Sequence, residues 1–184
     1  GRIVPFRPLS PAAIQAIVSD RIVKHGPFKG LQYPQALSND GTLFSKLLGS
    51  YERELHPLVE RLAAHAYTDV IDVGCAEGYY AVGLARRIPC ARVHAYDIDE
   101  HSLSLCQQMA ALNGVGDRVA TGNHVDAATL QALDIRGRAL IVCDCEGYER
   151  VLLTPALAAR PAWAQRLARG AFTHGIASGD PLQD

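Results

Sequence analysis

The chain has 184 residues, of which 48% are hydrophobic and 20% charged, with a formal net charge of −1 at pH 7. That length supports one domain with a sizeable core and leaves little room for two. A near-neutral balance with no dense block of Lys and Arg argues against a nucleic-acid partner, and no run approaches the roughly eighteen apolar residues of a membrane span.

The opening GRIVPFRPLSPAA lacks the basic-then-apolar layout of a secretory signal. Pro11–Val18 predicts a short apolar helix. Arg21–His25 and Gly30–Tyr33 flank the turn Gly-Pro-Phe-Lys-Gly and predict a hairpin or a bent lead-in. From Thr42 to Ala66 the residues Phe44, Leu47, Leu48, Tyr51, Leu55, Leu58, Val59 and Leu62 recur at helical spacing. Gly49 and the His56-Pro57 step should divide this stretch, because proline disfavours helical geometry in the residue before it.

The pattern then changes. Asp69–Val73, Ala91–Tyr96, Arg118–Gly122 and Ala139–Cys143 predict strands. They alternate with helices over Tyr79–Ile88, Ser102–Leu112, Ala127–Leu133 and Glu149–Ala159, the second of these stopped by Asn113-Gly114. Strand then helix, four times over, implies an α/β fold: a doubly wound, Rossmann-like, mainly parallel sheet with helices on both faces. Arg160–Asp184 shows no convincing strand. The expectation is that the C-terminal strands are missing, with a hidden joint near residues 159–160. Residues 1–66 then form a lead-in covering the site, and residues 67–184 the core.

Chemistry enters at Asp72-x-Gly74-x-x-x-Gly78, where a buried strand runs directly into a helix. Gly74 permits a sharp turn, and Gly78 a close backbone approach to a ligand. The spacing differs from the Gly-x-Gly-x-x-Gly of dinucleotide sites, whose bare amides at a helix N-terminus receive a pyrophosphate. Asp72 and Glu77 would place carboxylates at that mouth. They would repel a diphosphate but suit a ligand carrying sulfonium and ammonium groups. Asp97 closes the second strand nineteen residues after Gly78 and can accept both hydroxyls of a ribose, while Asp99 caps the next helix.

The runs DVGCAEGYYAVGLA, AYDID and VCDCEGYE, with the lead-in GPFKGLQYP, resemble the FkbM-like family of class I S-adenosylmethionine (SAM)-dependent methyltransferases. The resemblance covers about residues 43–155. It implies O-methylation of a small-molecule hydroxyl, with SAM as donor and S-adenosylhomocysteine as product. It also implies that Asp72, Gly74, Cys75, Ala76, Glu77, Gly78 and Tyr79 hold the methionine portion, and that Asp97 with Ile98 holds the ribose. Asn123 sits where related enzymes carry an acid or amide facing adenine, with His124 and Asp126 as neighbours that could substitute for it; Asn123 could equally shape a turn. Asp144 is the first candidate for the catalytic base and Glu146 the second, although Glu146 and Glu149 could instead cap the following helix.

Lys46, Tyr51 and Glu52 lie on the helix preceding the cofactor loop and could lid the site, though most read as solvent-facing. Among the five cysteines, Cys143 and Cys145 share a strand face, but no second pair is spaced to complete a tetrahedral metal site. No metal is expected, a divalent cation being conceivable but unsupported. Reduced core thiols point to a cytoplasmic protein. The expected partner is a small-molecule acceptor, with no nucleic acid and no membrane. The alternatives are a NAD-dependent oxidoreductase of similar fold and a SAM-binding domain without catalysis; oligomeric state is not legible.

Overall fold

Strands β1 (Asp69–Val73) and β4 (Ala139–Cys143) are buried at every position, which requires both faces of their sheet to be covered. The computed structural model describes residues 10–36, 41–145, 147–153 and 171–173. In it these two strands lie side by side at the centre of a five-stranded sheet. With β2 (Arg92–Tyr96), β3 (Val119–Gly122) and β5 (Ala171–Thr173), the order is β3-β2-β1-β4-β5 and every pair is parallel. The chain winds outward from β1 to β3 and then crosses back to place β4 on the other side of β1. The strand order therefore reverses between β1 and β4, the position where open α/β sheets leave a crevice. The Rossmann-like, doubly wound α/β architecture expected from the alternation is the architecture observed.

One face of the sheet is covered by α4 (Tyr79–Arg87), α5 (Glu100–Leu112) and the lead-in. Here Val70, Val93, Leu140 and Val142 share a core with Val82, Met109, Phe28, Leu31, Leu47 and Leu62. On the opposite face Ile71, Val73, Ile141 and Cys143 pack with Leu130 of α6 (Ala127–Ala132) and Leu152 of α7 (Glu149–Leu152). Strand alternation separates these two sets residue by residue, so one register serves both cores.

The lead-in comprises α1 (Pro11–Asp20), α2 (Leu43–Leu48), a 3-10 turn (Arg53–Leu55) and α3 (His56–Ala63). Gly49 ends α2 in the left-handed region at φ 79°, and Pro57 lies in the first turn of α3, as their chemistry requires. The expected hairpin is a single antiparallel bridge, Ile22 to Gln32, supported by backbone bonds from Val23 N to Leu31 O and from Tyr33 N to Arg21 O. No helix among the described residues is long and apolar enough to cross a membrane.

One expectation changes at the C-terminal end. The segment after Arg160, read as lacking a strand, supplies β5, which pairs in parallel with β4 from Ile141 to Cys143. Three residues, Ala-Phe-Thr, carry too little periodicity to announce a strand; the free edge of β4 makes it one. The extension of α7 to Ala159 and the suspected joint near residues 159–160 lie outside the described residues.

Gly83 in α4 tests this packing. A Cβ there would sit 2.7 Å from Cγ and Cδ1 of Phe28, whose ring is 2% exposed and cannot withdraw. Replacing a helical glycine with alanine normally gains about 0.5–1 kcal/mol, whereas overpacking a core costs about 1–3 kcal/mol. Gly83→Ala is therefore expected to destabilise the fold, read as a lower urea midpoint; a raised midpoint would mean that Phe28 does not lie against α4 in solution.

Candidate functional site

At the carboxyl edge of β1, β2 and β4 the loops enclose a cavity of about 580 Å³, within the range of small-molecule and cofactor sites. The β1–α4 loop forms its floor. N–H groups of Gly74 and Cys75 donate to the Tyr96 carbonyl at 2.8 and 3.0 Å, and the Ala76 N–H donates to Asp97 Oδ2 at 2.8 Å. Asp97 also accepts from the Asp99 N–H through Oδ1 at 2.9 Å, so one carboxylate holds two loops in place. Gly74 has φ 81°, and a Cβ on it would lie 2.0 Å from the carbonyl oxygen of Asp144. The loop after β1 and the end of β4 can be this close only because Gly74 has no side chain.

The structure brings Asp72, Gly74, Cys75, Ala76, Tyr79, Asp97, Ile98, Asn123, His124 and Asp144 together on this one cavity. These residues come from four separate strand ends. Asp99 caps α5 as its position suggested, accepting from the N–H groups of His101 and Ser102. Ile98 is 78% exposed, an apolar side chain offered at the rim beside Asp97.

Other assignments fall differently. Glu77 does not line the cavity: it is 2% exposed, and its Oε1 accepts from Lys46 Nζ at 2.8 Å and from the Tyr33 hydroxyl at 3.4 Å. A buried carboxylate needs a partner, and the lead-in supplies it. Lys46, read as solvent-facing, is the 3% exposed partner of that pair and lies 4.9 Å above the centre of the Tyr51 ring. Nor does Gly78 serve a ligand, because a Cβ there would meet Cys106 Sγ at 2.9 Å; its bareness lets the loop settle on α5. Asp126 caps α6 through the Thr129 N–H at 2.7 Å and is not an adenine contact. Glu146 lies outside the described residues. Glu149 holds the loop before α7, accepting from the Cys145 and Gly147 N–H groups at 2.8 and 2.7 Å.

Tyr79 was expected at the cofactor mouth, and the structure places it in a wider aromatic wall. Tyr79 and Tyr80 both line the cavity, and both meet the Phe28 ring edge-to-face; Tyr51 does the same against Tyr79. Tyr80 donates its hydroxyl to Glu52. Tyr148, also on the cavity, donates to the Val125 carbonyl at 3.1 Å. The dispersed Tyr pattern was visible, but which rings share a space depends on how the lead-in folds back.

Electrostatically the cavity is acidic. Asp72 is 2% exposed, and among the described residues its Oδ2 has no hydrogen-bond partner. Burial pushes its pKa from 3.8 up to about 7, with the charges of Asp144 and Asp97 adding to the rise against a backbone N–H from Ala81. A cation in the cavity would relieve this cost directly.

Comparison with known proteins finds a partial family match and several relatives. The model of the methyltransferase small domain family matches residues 49–136. A ribosomal RNA small subunit methyltransferase C from Pseudomonas fluorescens is 29% identical over 105 residues, covering 57% of this chain and 29% of the relative. The same-named protein from Escherichia coli is 24% identical over 181 residues, 96% of this chain and 49% of its own length. A release factor glutamine methyltransferase from Deinococcus radiodurans is 38% identical over 69 residues, 38% of this chain and 25% of that one. The chain spans between a quarter and a half of the length of these curated relatives. None of the three carries the FkbM-like name, so the similarity stands at the coarser level of methyltransferases.

These relatives overturn the expected partner, a small-molecule acceptor with nucleic acid excluded, because their names specify ribosomal RNA and a release factor glutamine. A net charge of −1 describes the field of this chain alone.

The buried Asp72 gives a pH test. A folded pKa raised from 3.8 to about 7 means that protonation favours folding. That contribution is complete below about pH 4 and is lost as pH rises through about 7. In the ligand-free protein Asp72→Asn, which stays neutral, should equal wild type near pH 4 and exceed it by up to roughly 4 kcal/mol near pH 8. Chemical denaturation at the two pH values reads this; an identical pH profile for both proteins would place Asp72 in a hydrated setting.

Proposed function

We propose that this chain is the cofactor-binding and catalytic domain of a SAM-dependent methyltransferase. One observation carries the reading: Asp72, Asp97 and Asp144, from the ends of three parallel strands, converge on one cavity at the point where the strand order reverses. Three carboxylates around a space of that size fit a cationic nucleoside and oppose a diphosphate, which weighs against the NAD-dependent alternative. The match to the methyltransferase small domain over residues 49–136 supports the same conclusion from outside the geometry.

Asp72 supplies negative charge at the cavity floor. Its buried, unpartnered Oδ2 suits an ammonium or sulfonium group and would be left uncompensated against a neutral ligand. Gly74, Cys75 and Ala76 form the backbone surface beside it. Asp97 keeps acceptor capacity after taking the Ala76 and Asp99 N–H groups, because two carboxylate oxygens offer about four sites. It is the residue for the ribose hydroxyls. Ile98, Asn123 and His124 line the same side and frame the base.

When bound, SAM supplies a methyl group on a positively charged sulfur, open to in-line attack. Asp144 then has two uses. Its charge favours the cation before transfer, and its carboxylate can take a proton from an acceptor oxygen or nitrogen. The lead-in contributes positioning: the Lys46–Glu77 pair fixes α2 to the cofactor loop in a dry setting. The relatives' names support an acceptor group carried on RNA or on a protein.

Asp97→Ala should weaken SAM binding by about 1.5–3 kcal/mol for each hydrogen bond lost, measured by isothermal titration. Asp99→Ala is the control: it loses a helix cap and so some stability, with affinity nearly unchanged. Equal affinities in both variants would remove Asp97 from the site.

Asp144→Asn should lower kcat by about 100-fold or more while SAM affinity stays within a few-fold. Labelled SAM offered separately to RNA and to protein extracts identifies the acceptor class. Tight SAM binding with no label transferred to either would replace catalysis with a purely binding role.

A further inference from the structure

Cys143 is the last residue of β4, and Cys145 lies two residues on, in the loop that follows. Their sulfurs are 3.4 Å apart. The chain then turns and returns Glu149 to them, and the ligand-capable atoms of all three residues lie within 4.8 Å of one another. A tetrahedral cation with metal–sulfur bonds near 2.3 Å and a metal–oxygen bond near 2.0–2.2 Å spaces its sulfurs by about 3.8 Å, and sulfur from oxygen by about 3.5 Å. The observed cluster is within a few tenths of an ångström of that spacing for the sulfurs.

We propose that Cys143, Cys145 and Glu149 form a binding site for a thiophilic divalent cation of the zinc class. Two sulfur donors and one carboxylate select such an ion over magnesium or calcium, which demand oxygen ligands throughout. The carboxylate is pre-oriented, since the N–H groups of Cys145 and Gly147 donate to its two oxygens at 2.8 and 2.7 Å. Each oxygen keeps a second lone pair for a metal, and such outer hydrogen bonds are what fix a ligating carboxylate. On binding, each thiol releases its proton to solvent as a metal–sulfur bond forms, so one divalent cation replaces two protons. Cys143 is fully buried, while Cys145 is partly exposed and lines the cavity, which gives the ion a route in and leaves a fourth position for solvent. Asp144 lies between the two sulfurs in the chain, so an occupied site would fix the backbone that presents its carboxylate.

The test is direct titration of the reduced protein with Cd2+, following the sulfur-to-metal charge-transfer absorption, with Zn2+ competing for the same site. One equivalent per chain is expected, with a band of two-sulfur intensity. C143S and C145S should each remove about half of the band or all of it. E149Q should retain the band while weakening affinity roughly tenfold or more. C90S, at an exposed cysteine, should change nothing. Because Cys143 is a core residue, C145S at the loop end serves where C143S fails to fold. No band at stoichiometric Cd2+, or a band lost in C90S and retained in C145S, would overturn the site. Neither outcome bears on methyl transfer, because the readout does not pass through SAM.

Discussion

Gly74 is bare because the carbonyl oxygen of Asp144 stands 2.0 Å from where its Cβ would be. That contact joins the loop after β1 to the end of β4, and the bonds from Gly74, Cys75 and Ala76 to Tyr96 and Asp97 join the same loop to the end of β2. Three strand ends are thereby gathered within one loop's reach. Asp72, Gly74, Asp97 and Asp144 take their places from this gathering. A larger residue at position 74 would part β1 from β4 and separate Asp72 from Asp144.

The convergence has an electrostatic cost. Carboxylates this near one another, with Asp72 removed from water, disfavour their own ionisation, and the rise in the pKa of Asp72 expresses that. Folded domains keep such an arrangement where something compensates it. For the cavity that is a cationic ligand. The second buried carboxylate of the loop, Glu77, is compensated internally by Lys46. Two acids five residues apart thus differ in setting: Glu77 is paired with Lys46 through Oε1, whereas Asp72 has no such cation beside it among the described residues.

The lead-in does more than cover the core. Phe28 lies against Gly83, Tyr51 and Phe28 build the wall beside Tyr79, and Lys46 holds Glu77. The cofactor loop is consequently supported from sequence-distant segments on the side opposite the strands. This support is tertiary in origin: nothing in the spacing of Lys46 and Glu77, thirty-one residues apart, marks them as partners.

The amino-acid sequence by itself determined four of the five strands and which acids stand at their ends. Burial on both faces leaves β1 and β4 as nearly continuous apolar runs, while β2 alternates buried and half-buried residues, and both patterns differ from the helical period. Asp72, Asp97 and Asp144 could be marked from the residues alone because a polar group ending such a run must sit at the sheet's edge. Tertiary structure alone decided which neighbours of those residues face the cavity. Glu77 and Gly78 belong to the same motif as Asp72 and Gly74, yet they turn toward α2 and α5, since a loop must bury one side while exposing the other. It also decided that Ala171–Thr173 is a strand and that Glu149 returns to Cys143 and Cys145. Pairing with a free strand edge and closure of a turn depend on contacts that no local pattern contains.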